Sequence, residues 1–236
     1  MMRSILWAGL GALVLLIAGV LSYFEFDKYQ GRRAVEEMCQ RDGGPKVSRT
    51  VNAKGYLDDT NTVGGVTGVL GPLTRQGFEY VDFSSKYAGS ELIPVLKEPG
   101  YFRGSLRESS DASCIFDSRT TGRVRERFAG LEIPDGRCLA VERLSSRPKL
   151  YVYSRSFRNV NSVSGKKIGV IEQFIKLEES NEELAVNRDY IFTSKEHLWL
   201  DLSGGGGVID ASCPEANEFR LRSSRFIARV LRDSAK

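Results

Sequence analysis

The chain has 236 residues, 41% hydrophobic and 27% charged, the make-up of a globular protein rather than a disordered one. Lys and Arg number 34 against 30 Asp and Glu, a net charge of +4 that implies neither an acidic nor a basic partner, so no nucleic acid is expected to bind. A single histidine excludes His-rich metal sites, and no pattern in the chain calls for a metal or a cofactor.

After a short tail, residues 1–4, the stretch Ile5 to Phe24 runs twenty residues without a charge. At about 1.5 Å per helical residue it reaches about 30 Å, the thickness of a hydrocarbon core, so the expectation is a single transmembrane helix over 5–24 with the lipid bilayer as its partner. A cleaved signal peptide has a shorter apolar run and a small-residue exit, whereas Val20-Leu21-Ser22-Tyr23-Phe24 is bulky. No Cys lies near Ala18-Gly19 to take a lipid. Gly9, Gly11 and Gly19 do not form G-x-x-x-G, so no strong dimerisation face is expected.

Arg3 before this segment and Lys28, Arg32 and Arg33 after it tilt the basic count toward a cytoplasmic C-terminal side. A short tail followed by a large domain is the layout of a signal anchor, and long domains cross largely regardless of charge. Four cysteines, Cys39, Cys114, Cys138 and Cys213, are spread along the rest of the chain, as two disulfides require. Together these point to a single-pass protein of a bacterial inner membrane with its C-terminal domain periplasmic. Four cysteines allow three connectivities; Cys39 with Cys213 and Cys114 with Cys138 is the pairing expected.

Residues 25–45 read as a juxtamembrane helix and turn. Ala34, Val35, Met38 and Cys39 make a narrow apolar stripe, Gly31 offers a bend, and Asp42-Gly43-Gly44-Pro45 stops the helix. Here Cys39, Asp42, Gly43, Gly44 and Val47 make a pattern that resembles uncharacterised bacterial envelope proteins, membrane-anchored or lipoprotein-like. The resemblance implies an envelope protein and brings no activity with it.

Residues 46–236 read as one α+β domain, a mainly antiparallel sheet with an N-terminal and a C-terminal helix. Lys46 to Leu57 alternates as a strand, and Asp58 to Pro72, with Gly64, Gly65, Gly68 and Gly71, reads as a surface loop that lacks the spacing of a phosphate-binding loop. Phe78 to Phe83 is a short strand, and Ser90 to Leu106 reads as irregular around Pro94 and Pro99-Gly100. Strands are expected at 113–117, 138–144, 150–157 and 167–177. The last is apolar on both faces, as a central strand is. Glu178 to Glu183 is a solvated acidic turn, and Ser223 onward is an amphipathic helix whose arginines face water.

Three functions from different classes fit this chain. A non-enzymatic binding or structural module of the envelope, engaging an envelope protein partner, is the first. A hydrolase would need His197 beside a Ser or Cys that only the fold brings near, since no G-x-S-x-G elbow exists. A cytoplasmic binder of phosphate-rich partners would use Arg119, Arg123, Arg125 and Arg127, a cluster that reads more simply as a solvated hairpin.

Overall fold

The computed structural model describes residues 2–60, 66–84, 99–117, 133–193, 209–213 and 219–232. In chain order these form α1 (Met2–Asp42), β1 (Gly44–Val47), β2 (Gly55–Asp58), α2 (Val66–Arg75), β3 (Tyr80–Ser84), β4 (Tyr101–Glu108) and β5 (Cys114–Asp117). Then come β6 (Arg137–Leu144), β7 (Tyr151–Asn161), β8 (Lys167–Leu177), β9 (Glu182–Thr193), β10 (Ile209–Cys213) and α3 (Phe219–Leu231). The ten strands hydrogen-bond in the order β1-β9-β8-β7-β2-β3-β4-β6-β5, with β10 also on β9.

The sheet is mixed, which corrects the mainly antiparallel expectation. β2 runs parallel to β3, Gly55 opposite Tyr80 and Asp58 opposite Phe83, and parallel to β7 through Leu57 and Val152. The reason is α2. The expected loop over 58–72 is helical from Val66 onward, and a helical crossover returns the chain so that β3 lies parallel to β2. Four glycines and Pro72 hid this helix, since Pro in a helix interior costs about 3 kcal/mol. Packing overrides that penalty: Val69, Leu70 and Leu73 are buried in the core.

A second correction concerns the beginning of the chain. Among the described residues no helix is long and apolar enough to cross a membrane. Beyond Phe24 the helix carries Glu25, Asp27 and Lys28 within about one turn, and charges recur to its end at Asp42. A crossing helix needs about 20 predominantly apolar residues. The transmembrane helix over 5–24, and with it the single-pass inner-membrane location, does not stand.

The chain divides into two compact units, 1–44 with 157–171 and 188–218, and 45–156 with 172–187 and 219–236. In the first, Ala34 and Val35 of α1 pack with Ile168 and Val170 of β8 and Tyr190 and Phe192 of β9. Gly31 serves this packing rather than a bend. α1 is continuous through it, and a Cβ there would meet the Phe192 ring at 2.1 Å. The helix ends as expected, with the Gly43 amide on the Cys39 carbonyl at 2.9 Å and Gly44 at φ +81°, the left-handed conformation glycine favours. Cys39 is joined to Cys213 across a sequence separation of 174, their Cα atoms 6.0 Å apart.

In the second unit Tyr56, Val69, Leu70, Val81, Phe83, Phe102 and Leu139 form a core with one face of α3. β4 runs through the stretch expected to be irregular. Phe102 is buried and Gly104 leaves room for α2, since a Cβ on it would meet Val69 Cγ1 at 2.2 Å. α3 buries Phe226, Ile227, Val230 and Leu231 while Arg225 and Arg229 face solvent. The amides of Val51 and Ala53 donate to the Val230 and Leu231 carbonyls at 2.8 Å each, filling acceptors that a helix C-terminus leaves open. Cys114 is joined to Cys138, with Cα atoms 5.6 Å apart, so all four cysteines are paired and each unit holds one disulfide.

Candidate functional site

A groove in the first unit lies along α1. Phe26, Tyr29, Gln30, Arg33, Ala34, Glu37, Met38 and Arg41 recur at the three- and four-residue spacing that puts side chains on one helix face. The turn between β7 and β8, through Ser162, Val163 and Ser164, forms the opposite wall, and the cavity measures about 410 Å³. That turn is set by its own bonds. The Lys166 amide donates to Ser162 Oγ at 2.9 Å, the Gly165 amide to the Ser162 carbonyl at 2.9 Å, and Gly165 sits at φ +77°. The Lys166 ammonium pairs with Asp27, tying the turn to α1.

The groove has an apolar floor and a charged rim. Ala34 is buried, while Phe26 and Tyr29 are 58% and 59% exposed and Val163, at the tip of the turn, is 98% exposed. Arg33 Nε donates to Glu37 at 3.2 Å and Arg41 Nε to Asp42 at 2.6 Å. The Glu37 bond raises the Arg33 pKa and the Asp42 bond that of Arg41, so both guanidiniums carry full charge at any ordinary pH. Such a surface grips and orients. Its charged groups are Arg33, Arg41 and Glu37, with the hydroxyls of Tyr29, Ser162 and Ser164 beside them.

The second unit buries its charges in pairs across the sheet. Asp82 on β3 is fully buried and accepts from Arg103 Nε at 2.7 Å and Nη2 at 2.9 Å, a bidentate pair between directly opposed residues. The Arg103 guanidinium rests 3.9 Å from the Tyr80 ring centroid. Burial raises the Asp82 pKa, and Arg103 offsets this only in part. Glu142 stands opposite Arg103 on β6 and pairs with Arg107. Nearby, Arg147 donates to Glu178 at 2.8 Å, to Tyr101 Oη at 3.1 Å and to Asp59 at 3.1 Å. Burial alone would lower the Arg147 pKa, but these three acceptors raise it. Asp58 accepts from the Thr60 amide at 3.0 Å and hydroxyl at 2.6 Å, and burial raises its pKa. Every one of these charges is spent on a neighbour, which is the pattern of structural pairs rather than of a poised acid or base.

Of the residues singled out from the sequence, the structure joins the cysteines in the two expected pairs. His197 and the cluster Arg119, Arg123, Arg125 and Arg127 lie outside the described residues. Among the described residues no group of three or more His, Cys, Asp or Glu could hold a metal ion. Sequence reasoning missed the groove because its second wall is a turn more than 120 residues away in sequence. The regular recurrence of Phe26, Gln30, Arg33, Glu37 and Arg41 was the available signal. It also missed Arg103, whose strand was read as irregular.

No protein family model, no curated protein and no solved structure matches this chain. The resemblance noted around Cys39 therefore carries no functional residue to it.

Proposed function

We propose that this chain is a non-enzymatic binding module of an oxidising compartment that takes an amphipathic segment of a protein partner into the groove along Phe26 to Arg41. The observation that carries this reading is the open helix face itself. Ala34, Val35 and Met38 pack on β8 and β9, while Phe26, Tyr29 and Arg33 border a groove whose other wall is the short turn Ser162 to Ser164. An apolar floor edged by Arg33, Glu37 and Arg41 suits a helix with apolar residues three and four apart on one face and charges flanking them, the helix-in-groove mode of recognition. The two disulfides support the compartment, since they persist where thiols are not kept reduced.

The test is a photo-activated cross-linking side chain placed at Val163, with one at the exposed Lys149 as control. The reading expects an adduct of one defined mass at Val163, absent at Lys149 and lost when Phe26 and Tyr29 are both replaced by Ser. Equal adducts at the two positions, or an adduct indifferent to those replacements, would reject it.

A further inference from the structure

The solvent face of α3 carries cations that the protein itself does not neutralise. Arg225, Arg229 and Arg232 follow one another at four and three residues, the spacing that lines side chains along one helix face. Phe226, Ile227, Val230 and Leu231 fill the opposite face and are buried in the core. Arg225 and Arg229 are exposed, and among the described residues no carboxylate pairs with either. Elsewhere in the same unit Arg49 holds Glu182, Arg103 holds Asp82, Arg107 holds Glu142 and Arg147 holds Glu178. Arg232 ends the row with its guanidinium 5.6 Å from the centroid of the Phe78 ring, which is buried in the same core. From Phe219 to Arg232 the chain has no acidic residue, and every basic one is an arginine.

Like charges three and four apart oppose a helix, so this row works against α3 until an anion meets it. Its length selects the anion. At about 1.5 Å per residue the three positions span about 10 Å. A second helix laid along α3 repeats the same rise, so carboxylates three and four apart on it meet the three guanidiniums in turn. The planar fork of Arg takes a carboxylate through two parallel hydrogen bonds, which a lysine cannot do. Nucleic-acid sites commonly engage about 6–10 phosphates, well beyond three cations. A helix that lies on lipid sinks an apolar face into it, and the apolar face of α3 is already buried in the core. We propose that α3 is a docking surface for an acidic helical segment of a protein partner, whose carboxylates pair with Arg225, Arg229 and Arg232. This surface belongs to the second unit and stands independently of the groove along α1.

The probe is a fluorescein-labelled, alanine-rich helical peptide with glutamates three and four apart, set against the same peptide with glutamines. Fluorescence anisotropy with the full chain should show binding of the glutamate peptide alone, lost at about 1 M salt where the Debye length is about 3 Å. Arg225→Gln with Arg229→Gln should weaken binding about tenfold, as the loss of two exposed ion pairs implies. Lys149→Gln with Arg155→Gln, an equal loss of exposed charge on the same unit, should leave it within about twofold. Arg225→Glu with Arg229→Glu should reverse the preference toward a lysine peptide, which a mere loss of folding would not do. No binding of the glutamate peptide, equal binding of the glutamate and glutamine peptides, or equal weakening by the two glutamine double variants would overturn the proposal. So would arginine-dependent capture by phosphatidylserine vesicles or inorganic polyphosphate without binding of the glutamate peptide.

Discussion

Removing Arg103 should cost this protein more than removing Asp82, although the two share one pair of hydrogen bonds. Arg103→Ala leaves the Asp82 carboxylate with 0% exposure and no cation, whereas Asp82→Ala leaves a guanidinium that is 33% exposed and faces Glu142 on the next strand. Breaking a buried pair costs about 3–5 kcal/mol when the remaining charge is stranded. That range applies to Arg103→Ala. For Asp82→Ala the exposure of Arg103 and the nearby Glu142 reduce it to about 1–3 kcal/mol. Replacing both by apolar residues of similar volume should recover most of the loss, because neither charge is then stranded. Urea unfolding of the full chain followed by circular dichroism reads all three values. Arg103→Ala within about 1 kcal/mol of the parent chain, or costing less than Asp82→Ala, would refute the reasoning. The pH dependence gives an independent sign. The folded pKa of Asp82 is raised above its ordinary value of 3.8, so on acidification the folded chain takes up this proton before the unfolded chain does. Stability attributable to Asp82 therefore rises as pH falls from above its folded pKa toward 3.8. The stability of the parent chain relative to Asp82→Asn should rise as pH falls over that window, and a relative stability that falls would contradict the burial.

Three further outcomes follow from the packing. Gly31→Ala should destabilise by about 1–3 kcal/mol because its methyl group meets the Phe192 ring, where an exposed helical Gly→Ala would stabilise; Phe192→Ala in the same chain should relieve part of that clash. Leu70→Ala should cost about 2–5 kcal/mol in thermal or urea unfolding, and a cost near zero would mean that α2 is not packed on the sheet. Replacing Cys39 and Cys213 together by Ala should cost up to about 5 kcal/mol against about 3.5 kcal/mol for Cys114 and Cys138, since the chain-entropy account scales with loop length; the reverse order in paired unfolding curves would contradict it.

What the sequence disclosed depended on whether structure was decided locally. β8 was legible as an interior strand, because Ile168, Val170, Ile171 and Ile175 place apolar side chains on both faces. Even there two buried polar residues, Glu172 and Gln173, escaped notice, and Gln173 is held by Asn187 Nδ2 at 3.0 Å across the sheet. The stop of α1 was legible in Gly43-Gly44-Pro45, since a left-handed cap needs only local chemistry. α2 was not, because its helicity comes from burying Val69, Leu70 and Leu73 against distant strands while Gly68, Gly71 and Pro72 argue locally for a loop. β4 was hidden likewise, since Arg103 pairs with Asp82 on β3 and Arg107 with Glu142 on β6 as well as with the nearby Asp111. Parallel pairing of β2 with β3 follows from that unread helix, and of β2 with β7 from contacts nearly a hundred residues apart. The groove along α1 combines both cases: its helix face is periodic in the sequence, while its other wall belongs to the tertiary fold.

A peptide map of the protein taken from its native source, digested without reductant and with thiols blocked beforehand, tests the account at its base. Two units, each closed by its own staple in an oxidising compartment, predict one linked pair containing Cys39 and Cys213, another containing Cys114 and Cys138, and no blocked cysteine. Blocked thiols at these four positions, or Cys39 linked to Cys114 or Cys138, would contradict both the pairing and the compartment.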